Sequence, residues 1–195
     1  MSKIKTYKLL RIFLIIVAVI LLVFVIRKFY KSYRTEKIVK ETISQIVNQI
    51  ENQEIASNKI DVQMQGYNVV GIIRIPKIEL EYPILEKTNI EALEISITKF
   101  WGNGLNEIGN LTLAGHNNLN GTMFGSIKKL EKGDIIEITD KQNISLKYEV
   151  FKKYVIDSND ISCIQAEEEG TREITLITCT NGRNNRLIVK AREIK

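Results

Sequence analysis

The sequence predicts a mainly β domain, a closed or nearly closed barrel with short helices, preceded by an N-terminal transmembrane helix and a helical linker. Three observations carry this. Ile12 to Ile26 holds no polar residue, the stretch after it has helical apolar spacing, and residues 66–195 contain β-branched runs cut by turn residues. About seven or eight such runs over one domain's length are the pattern of a closed or nearly closed barrel. A chain of 195 residues has room for one ordinary domain and a short appendage. Its hydrophobic and charged fractions, 44% and 26%, are those of a globular protein able to bury a core.

As a helix, Ile12–Ile26 spans roughly 22 Å at about 1.5 Å per residue. Leu9, Leu10 and snorkelling Arg11 and Arg27 extend it, with Tyr7, Phe29 and Tyr30 where interfacial aromatics belong. No small-x-small cleavage pattern follows the apolar run; Arg27-Lys-Phe-Tyr-Lys does. Residues 1–31 therefore read as a retained anchor with basic flanks, not a cleaved signal peptide. Both flanks are basic, so they do not set the orientation by themselves. Much of the +5 net charge lies there, which makes basicity a membrane-flank signature and gives no case for nucleic acid. Residues 32–65 read as a helical linker or stalk, because Val39, Ile43, Ile46 and Ile50 recur at 4-3-4 spacing. Two heptads are too few to argue a coiled coil.

The barrel domain is placed at 66–195, beginning near Gly66. Val69–Ile75 reads as a strand stopped by Pro76, and Ile78–Leu85 as its neighbour. Thr88-Asn-Ile-Glu91 has capping-box spacing and predicts a short helix through about Ile97. Trp101-Gly-Asn-Gly reads as a loop, Leu111–Ala114 as a strand, and Met123–Leu130 as one or two helical turns. Lys132-Gly-Asp134 turns into a strand at Ile135–Thr139. Ile144–Val155 predicts one long or two short strands, and Ile174–Thr178 and Leu187–Ala191 close the series.

Three reactive side chains sit at the ends of these runs: His116, the one histidine, Cys179, and Arg186. A free thiol is only about 3% thiolate at pH 7, and a nearby imidazolium or guanidinium stabilises the charged form. Cys179 can attack a carbonyl carbon, His116 can move the protons, and Arg186 can hold an oxyanion or a peptide backbone. Against this stands the plain alternative that each is an ordinary core, turn or surface residue. Cys163 lies 16 residues before Cys179, with no C-x-x-C pair. A zinc site from both cysteines and His116 lacks a fourth ligand and matches no familiar spacing. One cysteine pair is a weak disulfide signal, and Cys163 is expected to pack in the domain. No metal and no cofactor is expected.

Thr175-Leu-Ile-Thr-Cys179, followed by Arg186 opening the last strand, resembles the sortase signature. Leu113-Ala-Gly-His-Asn117 resembles the sortase histidine motif, and Gly71-Ile-Ile-Arg-Ile-Pro-Lys-Ile-Glu-Leu-Glu-Tyr-Pro-Ile84 the family's opening strand pair. Asn120-Gly-Thr-Met-Phe-Gly-Ser-Ile-Lys-Lys-Leu130 is similar to the segment after the histidine. The likeness covers residues 66–194 in order. It implies a closed eight-stranded sortase-type barrel and a cysteine transpeptidase of Gram-positive bacteria, single-pass in the cell membrane, with its catalytic domain facing the cell wall. It further implies that surface proteins bearing an LPxTG-like C-terminal sorting signal are cut after Thr. The acyl group would pass to an amine of a peptidoglycan cross-bridge precursor or a pilin.

By motif position Cys179 is the nucleophile, His116 the acid/base and Arg186 the transition-state stabiliser. Thr178 and Ala114 are candidates for positioning substrate. Arg183 competes with Arg186 for its role; Arg186 is preferred because it abuts Leu-Ile-Val. The motifs point to class B or class D. With no C-terminal apolar segment after Lys195 and no lid before the barrel, a pilus-polymerising class C enzyme is less expected. Glu167-Glu-Glu169 is read as a solvated acidic loop rather than a calcium site. A cysteine hydrolase passing the acyl group to water, or a non-catalytic wall-associated module, remains open at this stage.

Overall fold

The computed structural model describes residues 2–52, 62–180 and 184–194, the side chains of 2–6 and 50–52 excepted. The residues expected to be the anchor and the first part of the linker form one continuous helix, α1 (Ser2–Asn52), which no Gly or Pro interrupts, whereas Gln63–Met64, also expected in the helical linker, is a short strand. The chain divides into two compact units, Met1–Ile38 and Val39–Lys195. Within α1 the most apolar 18-residue window has mean hydropathy 3.4 and none of it is buried, so this helix is long and apolar enough to cross a membrane. In the second unit α1 buries Val39, Thr42 and Ile46. Their 3-4 spacing is one helical stripe, so this part of the linker lies against its own unit. The linker residues 53–61 lie outside the described residues, as does the side chain of Ile50.

Among the described residues nine strands follow: β1 (Gln63–Met64), β2 (Tyr67–Ile75), β3 (Leu80–Leu85), β4 (Ile97–Trp101), β5 (Gly109–Ala114), β6 (Ile135–Asp140), β7 (Ser145–Asp157), β8 (Arg172–Thr180) and β9 (Asn185–Glu193). Their order is β1-β2-β3-β4-β5-β8-β9-β7-β6, and a β2–β6 pairing joins the far edge back. The eight strands β2–β9 thus close into a barrel, with β3 and β4 paired only at Ile84–Ile97 and Leu85–Thr98. β1 is a short annex joined to β2 by a two-residue turn, with Gln65 and Gly66 both at positive φ as such hairpins require. The interior is aliphatic: Leu113, Leu176 and Val189 face one another across β5, β8 and β9, and all are fully buried. Tyr148 is the largest of the fully buried side chains; its hydroxyl donates to Asn106 Oδ1 at 3.0 Å, and burial raises its pKa.

Several predicted elements shift. Pro76–Ile78 is a 3-10 turn ending at Glu79 in the left-handed region, so β3 begins at Leu80 rather than Ile78. The helix α2 (Ile90–Ile95) is capped by Asn89, whose side chain accepts from Ala92 N at 2.7 Å. Thr88 instead donates to Lys99 O at 2.9 Å, fastening the start of α2 to β4. β4 covers residues expected to be the end of that helix and a loop. A β3–α2–β4 crossover places β4 parallel to β3, and so short a strand is held by its neighbours rather than by its own pattern. The helical turns expected over Met123–Leu130 reduce to a 3-10 turn at Ile127–Lys129. Met123 has φ +51, and a Cβ at Gly125 would meet Asn118 O at 2.2 Å, so this backbone turns too tightly for an α-helix. Ile144–Val155 is one strand, with a bulge between Val150 and Lys152.

Candidate active site

Alternation along β8 sends Glu173, Thr175, Ile177 and Cys179 to one face of the wall. In the antiparallel register of β9 they oppose Arg192, Lys190, Ile188 and Arg186 in turn. Cys179 and Arg186 are therefore direct cross-strand partners, with side chains on the same face. On the other flank β5 runs parallel to β8, and their last pair is Ala114 with Ile177. Two residues further on each chain are His116 and Cys179. Three elements thus deliver the sequence-predicted histidine, cysteine and arginine to one rim of the barrel. Cys179 is a free thiol and half-buried, as are His116 and Arg186. The rival Arg183 lies outside the described residues.

The segment carrying His116 is held from several sides. Phe124 N donates to His116 O at 3.0 Å, and Asn117 bridges Met123 in antiparallel fashion. Gly115 is required by close packing: a Cβ there would lie 2.9 Å from the Phe124 ring. His116 Nε2 stands 3.5 Å from a carboxylate oxygen of Glu94 on α2, with both side chains substantially exposed. Neither that carboxylate nor the role of Asn117 was legible in sequence. Glu94 carries no motif signal, while Asn117 stood next to the histidine without an assigned task.

The two candidate positioning residues occupy different environments. Ala114 ends β5 and is half-buried. Thr178 is buried, and its hydroxyl donates to Gly115 O at 2.7 Å, so it faces the opposite side of the wall from Cys179 and ties β8 to the histidine segment.

The other end of the same face is covered by residues 158–171. Asn110 Nδ2 donates to Ile164 O at 2.8 Å, and Thr175 Oγ1 to Asn110 Oδ1 at 2.9 Å. Buried Lys190 donates to Gln165 O at 2.8 Å and pairs with Glu167 at 3.3 Å. Arg192 donates to Glu173, whose other oxygen accepts from Glu167 N at 2.7 Å. The acidic triplet is thus partly paired: Glu167 with Lys152 and Lys190, Glu168 with Arg192. Hydrogen bonding from Lys152, helped by Lys190, holds Glu167 below the usual carboxylate range. Cys163 is buried here as a free thiol, and burial raises its pKa. Tyr154, opposite Ile188, is pushed up to about 12 by burial and by the nearby Cys163, Glu167 and Asp160. Among the described residues no group of three or more His, Cys, Asp or Glu side chains is placed to hold a metal.

A family model described as the sortase domain matches residues 73–194. This chain belongs to the sortase family. Sortase A of Bacillus anthracis is 29% identical to it over 199 aligned residues, covering 95% of this chain and 92% of that protein. Sortase D of Bacillus subtilis (strain 168) is 32% identical over 125 residues, covering 64% and 61% respectively. Among solved structures, a sortase transpeptidase of Clostridium perfringens superposes with a TM-score of 0.62 at 27% identity, over 82% of this chain and 98% of that one. Sortases are cysteine transpeptidases of the cell wall and act on surface proteins and pilins, and the closed eight-stranded barrel of this chain is theirs.

Proposed function

We propose that this sortase is held in the membrane by α1 and transfers surface proteins from an LPxTG-like sorting signal to an amine, with Cys179 as nucleophile. The observation that carries the reading is the convergence on one rim: Cys179 opposite Arg186 in the β8–β9 ladder, and His116 just past the last β5–β8 pair.

The reaction balances with these three groups alone. The Cys179 sulfur, as thiolate, attacks the carbonyl carbon of the Thr–Gly bond in the signal. Arg186 stabilises the negative charge that develops on the carbonyl oxygen. The carbon–nitrogen bond then breaks, His116 gives its proton to the departing amine, and a thioester remains on Cys179. An incoming amine attacks that thioester, His116 takes its proton, and the sulfur leaves as thiolate. On this reading the acceptor is a cross-bridge amine of a peptidoglycan precursor or a pilin lysine, and the catalytic domain faces the wall.

The test incubates the full chain in detergent with a quenched LPETG peptide, with and without triglycine. Mass spectrometry should find an acyl-enzyme on Cys179 and a ligated product that depends on triglycine. Cleavage that is amine-independent and yields only the free acid would replace transpeptidation by hydrolysis. Full turnover by Cys179→Ala would remove the cysteine from the mechanism.

A further inference from the structure

The β5–β8 ladder ends at Ala114 and Ile177, two residues short of the groups that the proposed chemistry needs side by side. Backbone pairing continues for one more bond, Gly115 N to Ile177 O at 3.2 Å. Beyond it side chains take over. Thr178 Oγ1 donates to Gly115 O at 2.7 Å, and Asn117 Nδ2 donates to Cys179 O at 2.8 Å. The bonds are reciprocal: the residue before Cys179 holds the residue before His116, and the residue after His116 holds Cys179 itself. They bracket the nucleophile and the imidazole on both sides in sequence.

We infer that Asn117, together with Thr178, is a positioning residue that fixes the register of His116 against Cys179 past the end of the ladder. This rests on the proposed function, since it assigns these two groups to one reaction. Asn117 suits the task because its amide is a donor aimed at a backbone carbonyl, while its own backbone is bridged to Met123 and Phe124 N holds His116 O. The histidine segment is thereby clamped between the 123–124 turn and β8. A shift of about 1 Å between reacting groups can reduce turnover about a hundredfold, so one hydrogen bond has leverage here far beyond its share of folding stability.

The discriminating experiment uses the full chain in detergent and the LPETG peptide. Asn117→Ala and Asn117→Asp should each lower kcat about tenfold to a hundredfold, with KM and the melting temperature close to wild type. Asn117→Gln, which keeps the donor on a longer arm, should recover part of the loss. Thr178→Val, which removes the donor to Gly115 O, should behave like Asn117→Ala, and Thr178→Ser, which keeps that donor, should recover part of the loss. Without any peptide, iodoacetamide should modify Cys179 about tenfold more slowly in Asn117→Ala at neutral pH, and that difference should vanish in the His116→Ala background. A kcat for Asn117→Ala within about twofold of wild type overturns the inference, as does a loss confined to KM or melting temperature. If Cys179→Ala is inactive while Asn117→Ala is normal, the positioning role of Asn117 alone fails. If Cys179→Ala is active, the proposed function fails and Asn117 has no catalytic register to hold.

Discussion

The two ends of the β8–β9 face are built from opposite materials. Where residues 158–171 cover it, ionised groups are buried and cross-linked: Glu173 between Arg192 and Glu167 N, Lys190 between Gln165 O and Glu167. At the rim, Cys179, His116 and Arg186 are half-buried, and neutral hydrogen bonds from Thr178 and Asn117 align the backbone around them. Buried charges restrict movement, because separating one from its partner leaves an uncompensated charge out of water. That rigidity suits a segment that only has to cover the face. Reactive groups need the reverse: access for a peptide and charges free to change during the reaction, with alignment supplied by groups that do not titrate. The same ladder serves both ends, and only the residue types differ.

The sharpest break in this comparison is thiol accessibility. Iodoacetamide applied to the full chain should modify Cys179 about a thousandfold faster than Cys163, which is 2% exposed and needs local opening to react. Peptide mapping by mass spectrometry checks it, and comparable rates would mean that the covered end is not closed. Next in size, Arg186→Ala should lower kcat/KM for the LPETG peptide about a hundredfold or more while leaving the urea midpoint nearly unchanged. Arg183→Ala should be close to wild type; the reverse result would transfer the role to Arg183.

At the covered end the expected effect moves from activity to stability. Glu173→Ala leaves Arg192 and Glu167 N without their buried acceptor and should destabilise the fold by about 3 kcal/mol, read from urea unfolding. A cost below about 1 kcal/mol would show that the charged network is ornamental there. The smallest effect is acid sensitivity. The Glu167 pKa is lowered in the folded protein by Lys152 and Lys190, so its ion pairs contribute above the ordinary carboxylate value of 4.5. That contribution is lost as pH falls through the lowered value. Wild type should therefore lose urea resistance below about pH 4.5 slightly more steeply than Glu167→Gln.

Ile135–Thr139 inside β6 was legible because burial on one face imposes alternation, and Ile174–Thr178 inside β8 because a strand buried on both faces along Glu173–Leu176 reads as a short β-branched, apolar run. β4 was not, since Ile97-Thr-Lys-Phe-Trp101 carries an irregularity between Lys99 and Trp101 and is separated from α2 by Ser96 alone. The Met123–Leu130 turns were misjudged because helical composition says nothing about the close approach of Gly125 to Asn118. The candidate cysteine, histidine and arginine stood out as lone reactive residues at run ends. Glu94 beside His116, and the bond from Asn117 to Cys179, carried no signal, because neither contact is periodic or local in the chain.

Periodicity and composition were enough to determine an apolar helix, a run of half-buried strands and three reactive side chains at strand ends, because each of those follows from what neighbouring residues must bury. The tertiary structure decided that β5 lies parallel to β8, that β2 returns to β6, and that Arg186 falls opposite Cys179 rather than one residue away. Register is the physical reason. A slip of a single residue turns every side chain to the other face, and the contacts that prevent it come from strands far apart along the chain.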